Sequence, residues 1–160
     1  MKYDPLGRRI EKSGTGNTIR FYYAGNQVIE ERNSSDSVTK QYVYGNGIDE
    51  LFRLDIYSGA TSTPYFVHTN DIGSTTVITD STGALVERVS YDTFGLPSFT
   101  NSSGQPIASS SIGNTTLFQG REYDPELHLY YYRARYYDPI MGRFLQTDPV
   151  GYQDLSLIHI

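Results

Sequence analysis

No cysteine occurs among the 160 residues, which excludes disulfides and thiolate metal sites and leaves the redox compartment open. No apolar run reaches about 18 residues, so no membrane-spanning helix is expected. Lysine is scarce, three against ten arginines, and the net charge is −5. Without a basic patch or charge run, nucleic acid is not an expected partner. The opening residues Met1-Lys2-Tyr3-Asp4-Pro5 lack the apolar stretch of a signal peptide, so an export signal is expected elsewhere. The three histidines, His68, His128 and His159, form no H-x-x-x-H pair or carboxylate cluster. No nucleophile elbow, P-loop or dinucleotide fingerprint is present. No metal or cofactor is expected, and no long helix is visible.

What the chain does have is tyrosine and tight turns. Tyrosine supplies 15 of the 22 aromatic residues, and its apolar ring with a polar tip suits strand surfaces. A Tyr-Asp turn recurs as Tyr3-Asp4-Pro5-Leu6-Gly7-Arg8, Tyr91-Asp92-Thr93-Phe94-Gly95 and Tyr137-Asp138-Pro139-Ile140-Met141-Gly142-Arg143. Tyr123-Asp124-Pro125 is a degenerate copy. Repetition of a turn points to a repeated supersecondary unit built by stacking. Each Asp precedes a turn whose backbone N–H groups its carboxylate can accept, so all four are read as turn acceptors and not as catalytic acids.

The remaining segments read as hairpins. Phe21-Tyr22-Tyr23 and residues 27–30 flank Ala24-Gly25-Asn26. Residues 41–44 and 48–52 flank Gly45-Asn46-Gly47. Residues 63–69 lead through a turn at 70–74 into 75–79, and Asp80-Ser81-Thr82-Gly83 connects these to a strand over 85–91. Residues 96–116 are rich in Pro, Gly, Ser, Thr and Asn and read as a long surface loop. Residues 117–120 read as a strand. Leu129 to Tyr137 read as one continuous strand, with Leu129, Tyr131, Arg133, Arg135 and Tyr137 on one face and Tyr130, Tyr132, Ala134 and Tyr136 on the other. The expected fold is all-β: stacked antiparallel hairpins in a curved sheet, a sector of a larger shell. Its unpaired strand edges predict poor solubility or self-association in isolation.

The stretch Leu129-Tyr130-Tyr131-Tyr132-Arg133-Ala134-Arg135-Tyr136-Tyr137-Asp138-Pro139, with Gly142-Arg143-Phe144-Leu145 and Asp148-Pro149-Val150-Gly151, resembles the core signature of the Rhs or YD-repeat proteins. Asn70 to Ser74, Tyr91 to Gly95 and Phe118 to Asp124 agree with it. The resemblance covers residues 1–154, with the signature at about 117–154. It implies a strand ribbon spiralling into a hollow shell that encloses a C-terminal toxin domain, in a parent protein that is secreted or displayed on the cell surface. The implied partners are that toxin domain and the neighbouring repeats. In the family, the signature closes the shell and carries a self-cleaving aspartyl protease, which by motif match makes Asp148 a catalytic acid.

The sequence departs from the pattern in two places. Thr147 stands where an Arg commonly precedes the Asp. After Asp154 the chain reads Leu155-Ser156-Leu157-Ile158-His159-Ile160, without the second Asp-Pro-x-Gly motif. Those six residues match one reading frame of a common transposon-end sequencing adapter and are expected to be a non-family tail; a diverged genuine tail is the alternative, and the underlying codons decide. The chain therefore reads as a piece of a longer product that is not itself an enzyme. Three functional readings stand: a non-enzymatic toxin-shell scaffold, a surface module that stacks carbohydrate on tyrosines such as Tyr131 and Tyr136, and half of an autoprotease.

Overall fold

The structure is a computed structural model that describes residues 1–14, 16–47 and 49–148. Eleven strands form one antiparallel sheet in strict sequence order. They are β1 (Lys2–Tyr3), β2 (Arg9–Gly14), β3 (Asn17–Ala24), β4 (Gln27–Arg32), β5 (Val38–Tyr44), β6 (Leu51–Ser58), β7 (Thr61–Thr69), β8 (Thr75–Asp80), β9 (Leu85–Tyr91), β10 (Pro97–Asn101) and β11 (Pro106–Ile107). A 3-10 turn at Phe118–Gly120 leads into a second antiparallel sheet. Its strands are β12 (Glu122–Asp124), β13 (Leu129–Tyr131), β14 (Tyr136–Asp138) and β15 (Arg143–Phe144). The expected all-β hairpin fold is what the chain adopts, and the large sheet is not closed into a barrel.

One turn chemistry organises the large sheet. At Asp4, Asn33, Asn70, Asp80, Asp92 and Asn101, a side-chain oxygen accepts the N–H groups two and four residues on. In each, the first residue also donates its N–H to the carbonyl four residues on, and its own carbonyl accepts the N–H three on. The side chain thus satisfies backbone donors that a tight reversal leaves unpaired. Half of these positions are Asn outside any Tyr-Asp pair, which the repeat pattern alone did not mark. The fourth turn residue has positive φ, supplied by Gly at five sites and by Asp36 (φ 61°) at the sixth. Gly95 shows the constraint at its tightest: its φ is 93°, and a Cβ there would lie 2.6 Å from the Phe118 ring. Gly95→Ala is expected to destabilise by about 1–3 kcal/mol, read as a lowered midpoint in thermal or urea unfolding.

Bulges interrupt six of the ladders, and each bends its strand. The covered face carries Leu54, Val67, Ile78, Val89 and Phe99 on successive strands; Val67 stands opposite Ile78, and Val89 opposite Phe99.

Four segments differ from the reading of the sequence. Residues 97–101 and 106–107 are strands, because Asn101 makes the same turn as Asp80. The rest of the expected surface loop runs back across the covered face. Ile112 packs with Tyr42, Leu51, Leu54 and Val67. Buried Glu87 accepts from Ser110 Oγ and from the N–H and Oγ of Ser111. The segment shows no periodicity because it is held by hydroxyls and backbone and not by an apolar stripe. The strand expected over 117–120 is instead a 3-10 turn at Phe118–Gly120, with Gln119 at φ 53°. Of the expected strand 48–52, Ile48 lies outside the described residues, Asp49 (φ 57°) and Glu50 belong to a loop, and β6 begins at Leu51.

The largest difference is at residues 129–137, which fold into a hairpin and not one strand. Arg133 takes φ 61° at the reversal, and Tyr132 N–H donates to Arg135 O at 2.8 Å. Tyr130 therefore stands opposite Tyr137, and Tyr131 opposite Tyr136. The reversal changes face membership: Tyr131 and Tyr137, placed together by strict alternation, are on different faces.

Candidate functional site: the interface between the two sheets

Turns that join odd to even strands lie at one end of the large sheet, here called the proximal end; the others lie at the distal end. The signature segment reaches the proximal turns one after another. Tyr131 Oη donates to Gly7 O (3.2 Å), Arg121 and Arg133 pair with Asp49 (2.9 and 2.5 Å), Gln119 N–H donates to Ser74 Oγ (2.9 Å), and Tyr137 and Tyr130 donate to Phe94 O (3.0 Å) and Gly95 O (2.8 Å). The small sheet thus lies across one end of the large one and touches both β2 and the β9–β10 side.

The two flanks of this contact differ in chemistry. On the β9–β10 side, Tyr123 and Tyr130 pack with Val89, Phe99 and Leu117, with the two rings 4.9 Å apart. Burial pushes the Tyr130 hydroxyl up, so it stays a neutral donor to Gly95 O. On the β2 side the contact is ionic. Arg9 is wholly buried and pairs with Glu122 and with Asp124 Oδ2 (2.6 Å); its guanidinium lies over the rings of Tyr131 (4.7 Å) and Phe21 (5.1 Å). Lys12 Nζ meets the other oxygen of Asp124, and Glu126 at 2.6 Å. Tyr23 Oη donates to Arg9 O at 2.7 Å.

Asp124 is thereby unlike the other Tyr-Asp aspartates. The reading of all four as turn acceptors holds for Asp4, Asp92 and Asp138, which accept turn N–H groups. Asp124 has both carboxylate oxygens occupied by cations from β2. Burial raises its carboxyl, but bonds from Lys12 and Arg9 outweigh burial and hold it below the usual carboxylate range. Glu122 goes the other way: burial, with Glu31 and Asp124 adding to it against Arg9, pushes it up to about 7.

A group whose folded pKa lies above its unfolded value binds its proton more tightly when folded, so Glu122 favours the fold most below about pH 4.5 and loses that contribution as pH rises through about 7. Asp124, depressed, acts oppositely and fails only at strongly acid pH. Thermal unfolding is therefore expected to show a higher midpoint at pH 5 than at pH 8, and Glu122→Gln is expected to flatten that difference.

Between the sheets is a cavity of about 60 Å³, lined by Phe21, Tyr23, Glu31, Tyr42, Glu122 and Tyr131 among others. It has room for a few waters and none for a sugar ring. Tyr42 Oη donates to Glu31 at 2.6 Å, and Lys40 lies 3.4 Å from the same carboxylate. The tyrosines named for carbohydrate stacking are engaged within the protein: Tyr131 is buried under Arg9, and its ring lies 5.4 Å from that of Tyr136.

Asp148 is at the end of the described residues, well away from the Arg9 cluster in sequence and paired with Arg135 Nη1 at 2.9 Å. Arg135 stacks 3.8 Å over the Phe144 ring. Pro149, Val150, Gly151 and the adapter-like 155–160 lie outside the described residues. His68 bonds Thr79 Oγ1 (3.0 Å), and His128 bonds Tyr123 Oη (3.1 Å). Among the described residues, no group of three or more acidic, His or Cys side chains is placed to hold a metal. Arg9, Lys12, Glu122 and Asp49 were not singled out from the sequence. One signal was available: Glu122 and Asp124 flank Tyr123 at alternate positions, which puts two acids on one side of a short strand.

The family model described as teneurin YD-shell matches residues 1–158. The chain belongs to this YD-shell family. It is 36% identical over 150 residues to the tRNA nuclease WapA of Bacillus subtilis, covering 92% of this chain and 6% of that protein. It is 26% identical over 173 residues to the double-stranded DNA deaminase toxin A of Burkholderia cenocepacia, covering 93% of this chain and 12% of that one. Among solved structures, the TcdB2-TccC3 crystal structure superposes with a TM-score of 0.67 at 26% identity, over 95% of this chain and 8% of that one. The YD-shell segment thus spans a small part of each relative. It is a structural shell segment.

Proposed function

We propose that this YD-shell segment forms an end of a hollow wall whose parent polypeptide encloses a C-terminal toxin domain and is secreted or displayed at the cell surface. The observation that carries this reading is the small sheet laid across the proximal turns, bonded to Gly7, Asp49, Ser74, Phe94 and Gly95. A segment that ties together the turns of several hairpins is placed to close an end. The relatives named as a tRNA nuclease and a DNA deaminase toxin support a toxic domain as the enclosed partner. Neighbouring repeats of the parent would continue the wall.

Asp148 is proposed as one acid of an autoprotease in such a parent, with Arg135 orienting it. The chain itself is expected to be inert, because the second Asp-Pro-x-Gly motif is missing from its sequence. The test is limited proteolysis of the full parent protein. The toxin domain is expected to resist protease while the shell is intact and to become cleavable on urea unfolding of the shell. Equal cleavage in both states would reject enclosure. Incubating the 160-residue chain alone should leave a single uncut band.

A further inference from the structure

The loop between β5 and β6 contains a dipeptide that occurs once in the chain, Asn46-Gly47. In such a pair the glycine nitrogen can attack the side-chain carbonyl carbon of the asparagine, because no Cβ shields it. This loop assembles the parts for that reaction. Asn46, Gly47 and Glu50 are exposed, so water reaches them. The Gly47 N–H donates to Glu50 Oε2 at 2.9 Å, and the Gly45 N–H donates to Glu50 O at 2.8 Å. The Glu50 side chain thus folds back over the loop, and glycine leaves the room for it. A Cβ at Gly45 would collide with Oε2, and one at Gly47 would lie 3.0 Å from it.

The other asparagines are held or shielded. Asn33, Asn70 and Asn101 each have Oδ1 bonded to two turn N–H groups. Asn114 is buried, with both side-chain polar atoms bonded to Thr116. Asn17 and Asn26 precede Thr18 and Gln27, whose side chains obstruct the attack. Among the described residues, Gly47 alone follows an asparagine and bonds a carboxylate through its N–H.

We propose that Asn46 is a site of self-catalysed deamidation, with Glu50 as the base. Glu50 Oε2 takes the proton of Gly47 N as that nitrogen bonds to Asn46 Cγ. The Cγ–Nδ2 bond breaks, and the nitrogen leaves as ammonia with the proton returned from Glu50. Water then opens the five-membered imide to aspartate or isoaspartate. The product places a new carboxylate in the loop that carries Asp49, the anchor of Arg121 and Arg133. Isoaspartate also adds one carbon to the backbone there. The reaction does not depend on what the shell encloses.

The test is to hold the 160-residue chain near neutral pH at physiological temperature and to digest samples over time at acid pH. Mass spectrometry follows each asparagine-containing peptide, with fragmentation to separate isoaspartate from aspartate. Asn46 is expected to convert first. Glu50→Gln keeps an acceptor of similar shape that cannot take the proton, and it is expected to slow the conversion about tenfold or more. Should circular dichroism show that this variant misfolds, Gly45→Ala, which displaces the carboxylate, is read by the same criterion. An Asn46 that outlasts the other asparagines would overturn the proposal. So would a folded variant that converts as fast as the native chain or faster, since Glu50 would then shield the N–H and not deprotonate it.

Discussion

Replacing Arg9 with alanine is expected to cost about 3–5 kcal/mol, the range for removing one partner of a buried ion pair. Arg9 is wholly buried, and its loss leaves Glu122 and Asp124 facing each other with Lys12 as the remaining nearby cation. The guanidinium stacking on Tyr131 and Phe21 goes with it. Urea unfolding should show the loss as a lower midpoint. The physical cause can be separated from simple cavity formation. Arg9→Met with Glu122→Gln and Asp124→Asn removes the cation and both charges while keeping much of the volume, and it should recover a large part of the stability. If Arg9→Ala alone proved neutral, the ionic flank would not be what holds the small sheet to β2.

Tyr130→Ala is expected to be comparably severe, about 3–5 kcal/mol, because an aromatic side chain with no exposed surface is deleted from the middle of a packed cluster. Tyr130→Phe isolates the hydroxyl. It leaves Gly95 O without its 2.8 Å donor and should cost about 1 kcal/mol. The two variants together separate packing from hydrogen bonding on the β9–β10 flank. Both should loosen the small sheet first, so protease sensitivity at residues 129–138 is expected to rise before the large sheet unfolds.

The local parts of this fold were legible because their causes are local. Asp4 and Asp92 make turns with bonds that span four residues, so the sequence pattern and the structure say the same thing. The strands over 63–69, 75–79 and 85–91 follow from alternation and bounding turns. The misreadings have a common origin. The segment from Leu129 to Tyr137 alternates well enough for one strand, and nothing nearby in sequence marks Arg133 as the reversal. The hairpin is selected because it puts Tyr130 on the Val89 and Phe99 cluster and Tyr131 under Arg9. The 96–116 stretch looked like solvent-exposed loop because hydroxyl and backbone groups hold it to buried Glu87, and such groups are also common in loops.

Asp124 marks the boundary between the two kinds of information. Residue order alone was enough to establish an all-β chain of antiparallel hairpins with repeated carboxylate- and amide-capped turns, since those depend on period-two alternation and on bonds a few residues long. The same short-range pattern placed Asp124 with the turn acceptors. Long-range packing gives it a different role, by bringing Arg9 and Lys12 from more than a hundred residues away onto its two oxygens. Desolvation at that contact penalises a buried charge unless it is paired, and the two cations supply the pairing for Asp124.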